Sequence, residues 1–186
     1  MSIHTALFLA AILIFVLILG LAAAYYSRRA RRASAGDWQQ ILGRLTMLDR
    51  DGVAQVALDY ADESGKRRTD DSCAELESSQ IWALIGGLKG FEALERNSIV
   101  LIDLAFYVQQ WYPEAVVLAE ELRLNAREIQ WHVERLRGAA KTGNLESSFA
   151  AYAQPAIAKY YFMTRQVLAL YERGNLPMLI ELQRAI

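Results

Sequence analysis

Apolar residues fill positions 6 to 26 without a charge, and beyond position 36 they thin to a repeat at every third and fourth place. The first pattern, Ala6 to Tyr26, is 21 uncharged residues, which as a helix rise about 31 Å, close to the hydrocarbon thickness of a bilayer. A helix satisfies its own backbone polar groups in lipid, so the run predicts one transmembrane helix over residues 6–26. Tyr25 and Tyr26 stand where an aromatic belt meets the headgroups, and Arg28, Arg29, Arg31 and Arg32 follow in a basic juxtamembrane linker, residues 27–36. Residues 1–5 hold no Lys or Arg. Because cytoplasmic flanks carry the excess of positive charge, 1–5 is expected as a short extracytoplasmic N-terminus and 37–186 as a cytoplasmic domain at a bacterial-type inner (plasma) membrane.

The second pattern is helical throughout. Asp37 is expected to cap a helix following Trp38, Ile41, Leu45 and Leu48, broken at Asp51-Gly52 before Val53, Val56 and Tyr60 continue its stripe. Ser64 to Ser72 is polar and without period, and reads as a surface loop. A helix from about Ala74 to Arg96 should then end at Asn97-Ser98. These residues would cap a very apolar helix, 99–112, expected at the centre of the domain. Pro113 fits the first turn of the next helix, where its missing N–H costs nothing. From there Ala115, Ala119, Leu122, Ala126, Ile129, Val133 and Leu136 form a seam at alternating steps of four and three. Gly138 or Gly143 closes that helix. A last long helix carries Phe149, Tyr152, Ala156, Tyr160, Met163, Val167 and Leu170, with a kink expected at Pro155. Gly174 and Asn175 end it, and Pro177 opens a short terminal helix.

The expectation is therefore all-α: a single N-terminal transmembrane helix followed by an irregular bundle of five or six helices, two of them long and antiparallel. Composition sharpens this. All 21 acidic residues lie beyond position 36, where 16 of the 20 basic residues also lie, so the second part carries about −5. One cysteine and two histidines exclude a disulfide framework and a zinc site built from Cys and His of this chain alone. The lone Cys73 agrees with a reducing compartment. Ala22-Ala23-Ala24 would suit signal cleavage, but a signal peptide wants its positive charge ahead of the apolar run, so an anchor is preferred. The arginine cluster serves first as a topology signal, with anionic headgroups attracting it by about 1 kcal/mol per charge.

Candidate chemistry is sparse. Glu128 and His132 are four apart and share a helix face, a spacing that suits two metal ligands or an acid/base pair, yet no further ligand is near in sequence. His132 beside Trp131 reads as a packing residue. Gly86-Gly87-Leu88-Lys89-Gly90 lacks the order of a phosphate loop and follows a helical rather than a strand pattern, so close helix packing at Gly86 and Gly90 is the better use. Neither a catalytic constellation nor a cofactor or metal site is expected.

Residues 116–137 resemble the helix-turn-helix of bacterial repressors. Leu118, Ala119, Leu122 and Leu124 match its first helix and turn, Asn125 the cap of the second, and Ile129, His132, Val133 and Leu136 its buried side. That resemblance implies a membrane-tethered DNA-binding regulator. Arg123 stands where the family usually has a turn glycine, and the segment holds four arginines against four glutamates. DNA binding rests on a basic surface, so nucleic acid is an unfavoured partner. The seam also continues through Asn125, which predicts one straight helix instead. The aromatics remain. Trp111, Tyr112, Trp131, Tyr160 and Tyr161, with Arg127 and His132, form the candidate interaction surface, because aromatic and arginine side chains anchor interfaces. The preferred function is a single-pass membrane-anchored helical domain that acts as a protein-interaction or scaffold module, its partners being the bilayer and either another protein or itself.

Overall fold

The computed structural model describes residues 8, 10–21, 24, 37–68 and 76–186. Tyr25, Tyr26, Arg28, Arg29, Arg31, Arg32 and Cys73 lie outside them, as does 69–72 of the polar loop. The chain divides into two compact units, Met1–Gly36 and Asp37–Ile186. In the first, residues 10–21 are helical (α1) and their side chains are exposed. Among the described residues no helix is long and apolar enough to cross a membrane.

The second unit is built of α2 (Trp38–Leu42), α3 (Arg50–Tyr60), α4 (Ser78–Ile85), α5 (Gly87–Val108), α6 (Ala115–Thr142), α7 (Leu145–Arg173) and α8 (Leu179–Ala185). Among the described residues that is seven helices where five or six were expected. No strand occurs among the described residues, only an isolated bridge between Ala61 and Arg67. Helix α5 packs on α2, α4, α6 and α7, and its buried residues include Phe91, Leu94, Leu101, Leu104 and Phe106. The central place expected for this apolar helix is the one it takes.

Several boundaries differ from the sequence pattern, each for a local reason. Asp37 does cap α2, its side chain accepting from Gln39 N at 3.3 Å, but α2 ends at Gly43 rather than at Asp51-Gly52. The irregular stretch that follows is held by Asn97, which donates to Thr46 O at 2.7 Å and accepts from Thr46 N at 2.8 Å. Asp51 instead lies in the first turn of α3, where a carboxylate favours the helix dipole. A Cβ at Gly52 would stand 3.1 Å from Leu84 O, so this glycine permits the close approach of α3 to α4.

The break expected at Asn97-Ser98 falls at Gly86. Its φ of 79° is the left-handed conformation that ends α4 and opens α5. A Cβ there would meet nothing within 4 Å, so conformation, not packing, selects that glycine. Gly90 is the packing glycine: a Cβ on it would overlap the Ile85 carbonyl. Asn97 and Ser98 are buried in mid-helix, their polar groups satisfied by Thr46 and by Glu95 O.

Pro113 sits in the turn before α6, whose cap is Glu114. The buried residues of α6 are Ala115, Ala119, Leu122, Ala126, Ile129, Val133 and Leu136, the predicted seam without exception. Residues 116–137 lie inside this one helix, so the two-helix geometry of a DNA reader is not formed: apolar contact with α5 and α7 continues through Asn125. Gly143 (φ 74°) closes α6 and turns the chain into α7. Helix α7 runs through Pro155 uninterrupted and buries Ala153 where Tyr152 was expected. Asn175 (φ 46°) leads to α8, which is tied back by Gln39 Nε2 to Glu181 at 2.8 Å and by the Arg50 guanidinium to the carbonyls of Gln183 and Arg184.

Candidate functional site

The two long helices run antiparallel, so a step of seven residues up α6 is matched by a step of seven down α7. At those steps α6 presents Glu114 (its cap), Glu121 and Glu128, and α7 presents Arg173, Gln166 and Lys159. Lys159 forms an ion pair with Glu128. Gln166 Nε2 donates to Glu121 Oε1 at 2.7 Å. Glu114 accepts from the Tyr112 hydroxyl at 2.8 Å, a bond that raises the Tyr112 pKa, while Arg173 acts on that phenol in the opposite sense.

These rungs border a groove made of two cavities. The smaller, about 400 Å³, is lined by Tyr112, Glu114, Val117, Leu118, Glu121, Gln166, Leu170 and Arg173. The larger, about 950 Å³, takes Asn125, Glu128 and His132 from α6, Pro155, Ala158, Lys159, Phe162, Arg165 and Ala169 from α7, Tyr60 from α3, and Glu63, Ser64, Gly65 and Arg67 from the turn after it. Gln166 and Arg173 line both cavities.

The far wall of the larger cavity is built locally. Asp62 Oδ1 accepts from Ser64 N, Ser64 Oγ and Lys66 N at 2.7 to 2.9 Å, which closes the turn. The Ser64 hydroxyl, then the Lys66 amide, hold the Asp62 carboxyl below its usual range. Gly65 (φ +80°) faces the ring of Phe162, where a Cβ would lie 3.6 Å away. Two cations are set on aromatic faces, Arg67 over Tyr60 at 5.7 Å and Arg165 over Tyr161 at 5.9 Å.

Outside the cavity, next to His132, Trp131 meets Tyr152 edge to face at 5.5 Å and His132 at 4.9 Å, with Arg135 over the indole at 5.2 Å. His132 Nδ1 is buried and has no hydrogen-bond partner. Burial pushes the His132 pKa down, Glu128 opposes that and Lys159 adds to it. With Glu128 already paired to Lys159, a metal would have only His132 here. No group of three or more potential ligands occurs among the described residues.

Of the predicted interaction residues, Tyr112 and His132 line this groove, while Trp131 lines neither cavity and stands exposed beside His132. Arg127 is exposed on the outer side of α6. Trp111 is exposed and stacks edge-on with Tyr107 at 5.3 Å. Tyr161 is half-buried and borders a further cavity of about 300 Å³ beside Met47, Arg50 and Thr164, which shares Arg165 and Leu168 with the larger one. Tyr160 is not a surface residue: it is buried, its hydroxyl accepts from Asn97 Nδ2 at 3.2 Å, and burial pushes its pKa up to about 12. The groove residues of α7, Lys159, Phe162, Arg165 and Arg173, and those of the turn escaped sequence reasoning. The recoverable signal was the seven-residue step of acids on one long helix against bases and an amide on the other.

The arrangement offers fixed aromatic faces, paired charges and open hydrogen-bonding groups, which is chemistry suited to binding. No family model matches this chain, and neither a curated protein nor a solved structure does.

Proposed function

We propose that this chain is a single-pass membrane-anchored helical domain that acts as a protein-interaction or scaffold module, meeting its partner along the α6/α7 groove. The observation that carries the reading is the groove itself, where Tyr60 with Arg67 stacked on it, Phe162 and His132 converge, next to the exposed Trp131 that Tyr152 and Arg135 hold. Interface anchors are of this kind, large rigid side chains with few torsions left to fix. The anchor rests on the uncharged run 6–26, on Arg28 to Arg32 after it, and on apolar side chains of α1, among them Leu13 and Leu21, that are exposed and that a surrounding lipid would satisfy. The charge asymmetry favours residues 37–186 in the cytoplasm.

A photo-crosslinking side chain placed at Arg165 in the groove, or at Leu124 on the open face of α6 next to Glu121 and Glu128, tests the binding face in the intact protein in cells, with Met47 and Ile180 as exposed controls. Protein adducts are expected from the first pair only. Adducts from none, or turnover of a metabolite lost on one polar substitution, overturn the reading. Extraction of membranes at alkaline pH tests the anchor, and release into the supernatant overturns it.

A further inference from the structure

The outer face of α6 carries a second row, opposite to the buried seam. Val117, Leu124 and Trp131 recur at steps of seven and are 72%, 60% and 47% exposed. On a helix they form one line roughly 21 Å long. Its two ends differ. At one end Trp131 is a fixed knob, held between Tyr152 and Arg135. At the other, Val117 borders the 400 Å³ cavity between Tyr112, Leu118 and Leu170. Leu124 is equidistant from both, so a two-fold axis through it exchanges knob and cavity.

We propose that the occupant of this face is a second copy of the chain, with α6 packed antiparallel on α6 about Leu124 and Trp131 of each copy seated in the cavity beside Val117 of the other. This rests on the interaction-face reading above and names its partner. Such a contact is isologous and closes on itself. A parallel pair would instead stack Trp131 on Trp131 and leave both cavities empty, whereas facing positions pack best when large meets small. The charges agree. Arg127 and Glu120 each follow an apolar position of the row by three, so they share one flank, and in an antiparallel pair like flanks meet. Arg127 of one copy then faces Glu120 of the other, twice. Glu120 has Arg123 at 3.5 Å, while among the described residues Arg127 has no ion pair or hydrogen bond. On the opposite flank Glu121 and Glu128 are engaged by Gln166 and Lys159 of their own chain.

The test is disulfide formation by Leu124→Cys in the full-length protein, on a Cys73→Ser background, in native membranes under a mild oxidant. A linked dimer is expected. Arg127→Glu alone and Glu120→Arg alone should each lower its yield roughly fivefold to tenfold, since two partly exposed ion pairs become two repulsions, and the double reversal should restore it. No link, a link indifferent to both reversals, or a loss that the double reversal does not restore overturns the proposal. So does an equal link between Val117→Cys chains, which marks parallel pairing. If photo-crosslinks from Leu124 capture a different protein while the disulfide fails, the dimer is overturned and the interaction reading stands; if neither forms, both are overturned.

Discussion

The Gln166 side-chain amide donates to Glu121 Oε1 at 2.7 Å, at the middle step of a row whose outer steps set Lys159 against Glu128 and Arg173 level with Glu114. This is the one step of α7 without a cation, and Gln166 Oε1 is buried there without a partner.

Gln166→Lys is therefore expected to stabilise the domain. It replaces an unsatisfied acceptor with a charge opposite Glu121, and an ion pair of this exposure is worth about 0.5 kcal/mol. A rise in the urea midpoint that vanishes at high salt checks it; a fall at every salt concentration contradicts it.

Asn97 matters more. Buried in mid-helix, it satisfies both backbone groups of Thr46 and the hydroxyl of Tyr160. Asn97→Ala leaves those groups without partners and should cost about 2 to 3 kcal/mol. Amide exchange should also accelerate at Thr46 and its neighbours, and unchanged protection there would show that other groups hold the segment.

Two glycines should respond in opposite directions. A Cβ at Gly90 overlaps the Ile85 carbonyl, a backbone group that cannot rotate away, so Gly90→Ala is expected to cost about 3 kcal/mol or more. Gly138 lies inside α6 with nothing within 4 Å of an added Cβ. Gly138→Ala should stabilise by about 0.5 to 1 kcal/mol, because alanine loses less backbone entropy in a helix. Thermal melts of the pair decide both.

His132 sets a pH dependence. Its folded pKa is lowered, by burial first and by Lys159 in addition, against the pull of Glu128. The unfolded chain takes up this proton near its ordinary value of about 6.5 and the folded chain only at lower pH. The contribution to stability is thus complete above about 6.5 and is lost as pH falls through the folded value. Between pH 7 and 5 the urea midpoint of the natural protein should drop more than that of His132→Gln. Parallel curves would show that the imidazole titrates alike in both states.

How much of this was legible beforehand depended on whether the cause was local. The seam of α6 was read residue by residue, because steps of four and three on a long helix admit one buried face. The same steps favoured one straight helix over a helix-turn-helix, and of the two glycines that could have closed it, Gly138 and Gly143, the structure selects Gly143. Local pattern failed at Asn97-Ser98, which has the local chemistry of a cap but is consumed by a contact with Thr46, 51 residues away. It failed likewise at Tyr160, named for the interaction surface as an aromatic anchor, whose ring is buried and whose hydroxyl accepts from Asn97 in the interior.

By itself the sequence determined what a short repeat can encode: an all-helical second unit, its two long helices, the centrality of α5, and an uncharged run ahead of four arginines. The tertiary structure alone decided which faces remained open. The groove, its wall from the turn at Asp62, and the contact of Trp131 with Tyr152 join residues distant along the chain, and hydrophobic period records only that a side chain is buried, never against what. A binding surface is what remains after that packing is complete, so it could be seen only once α3, α6 and α7 were in place.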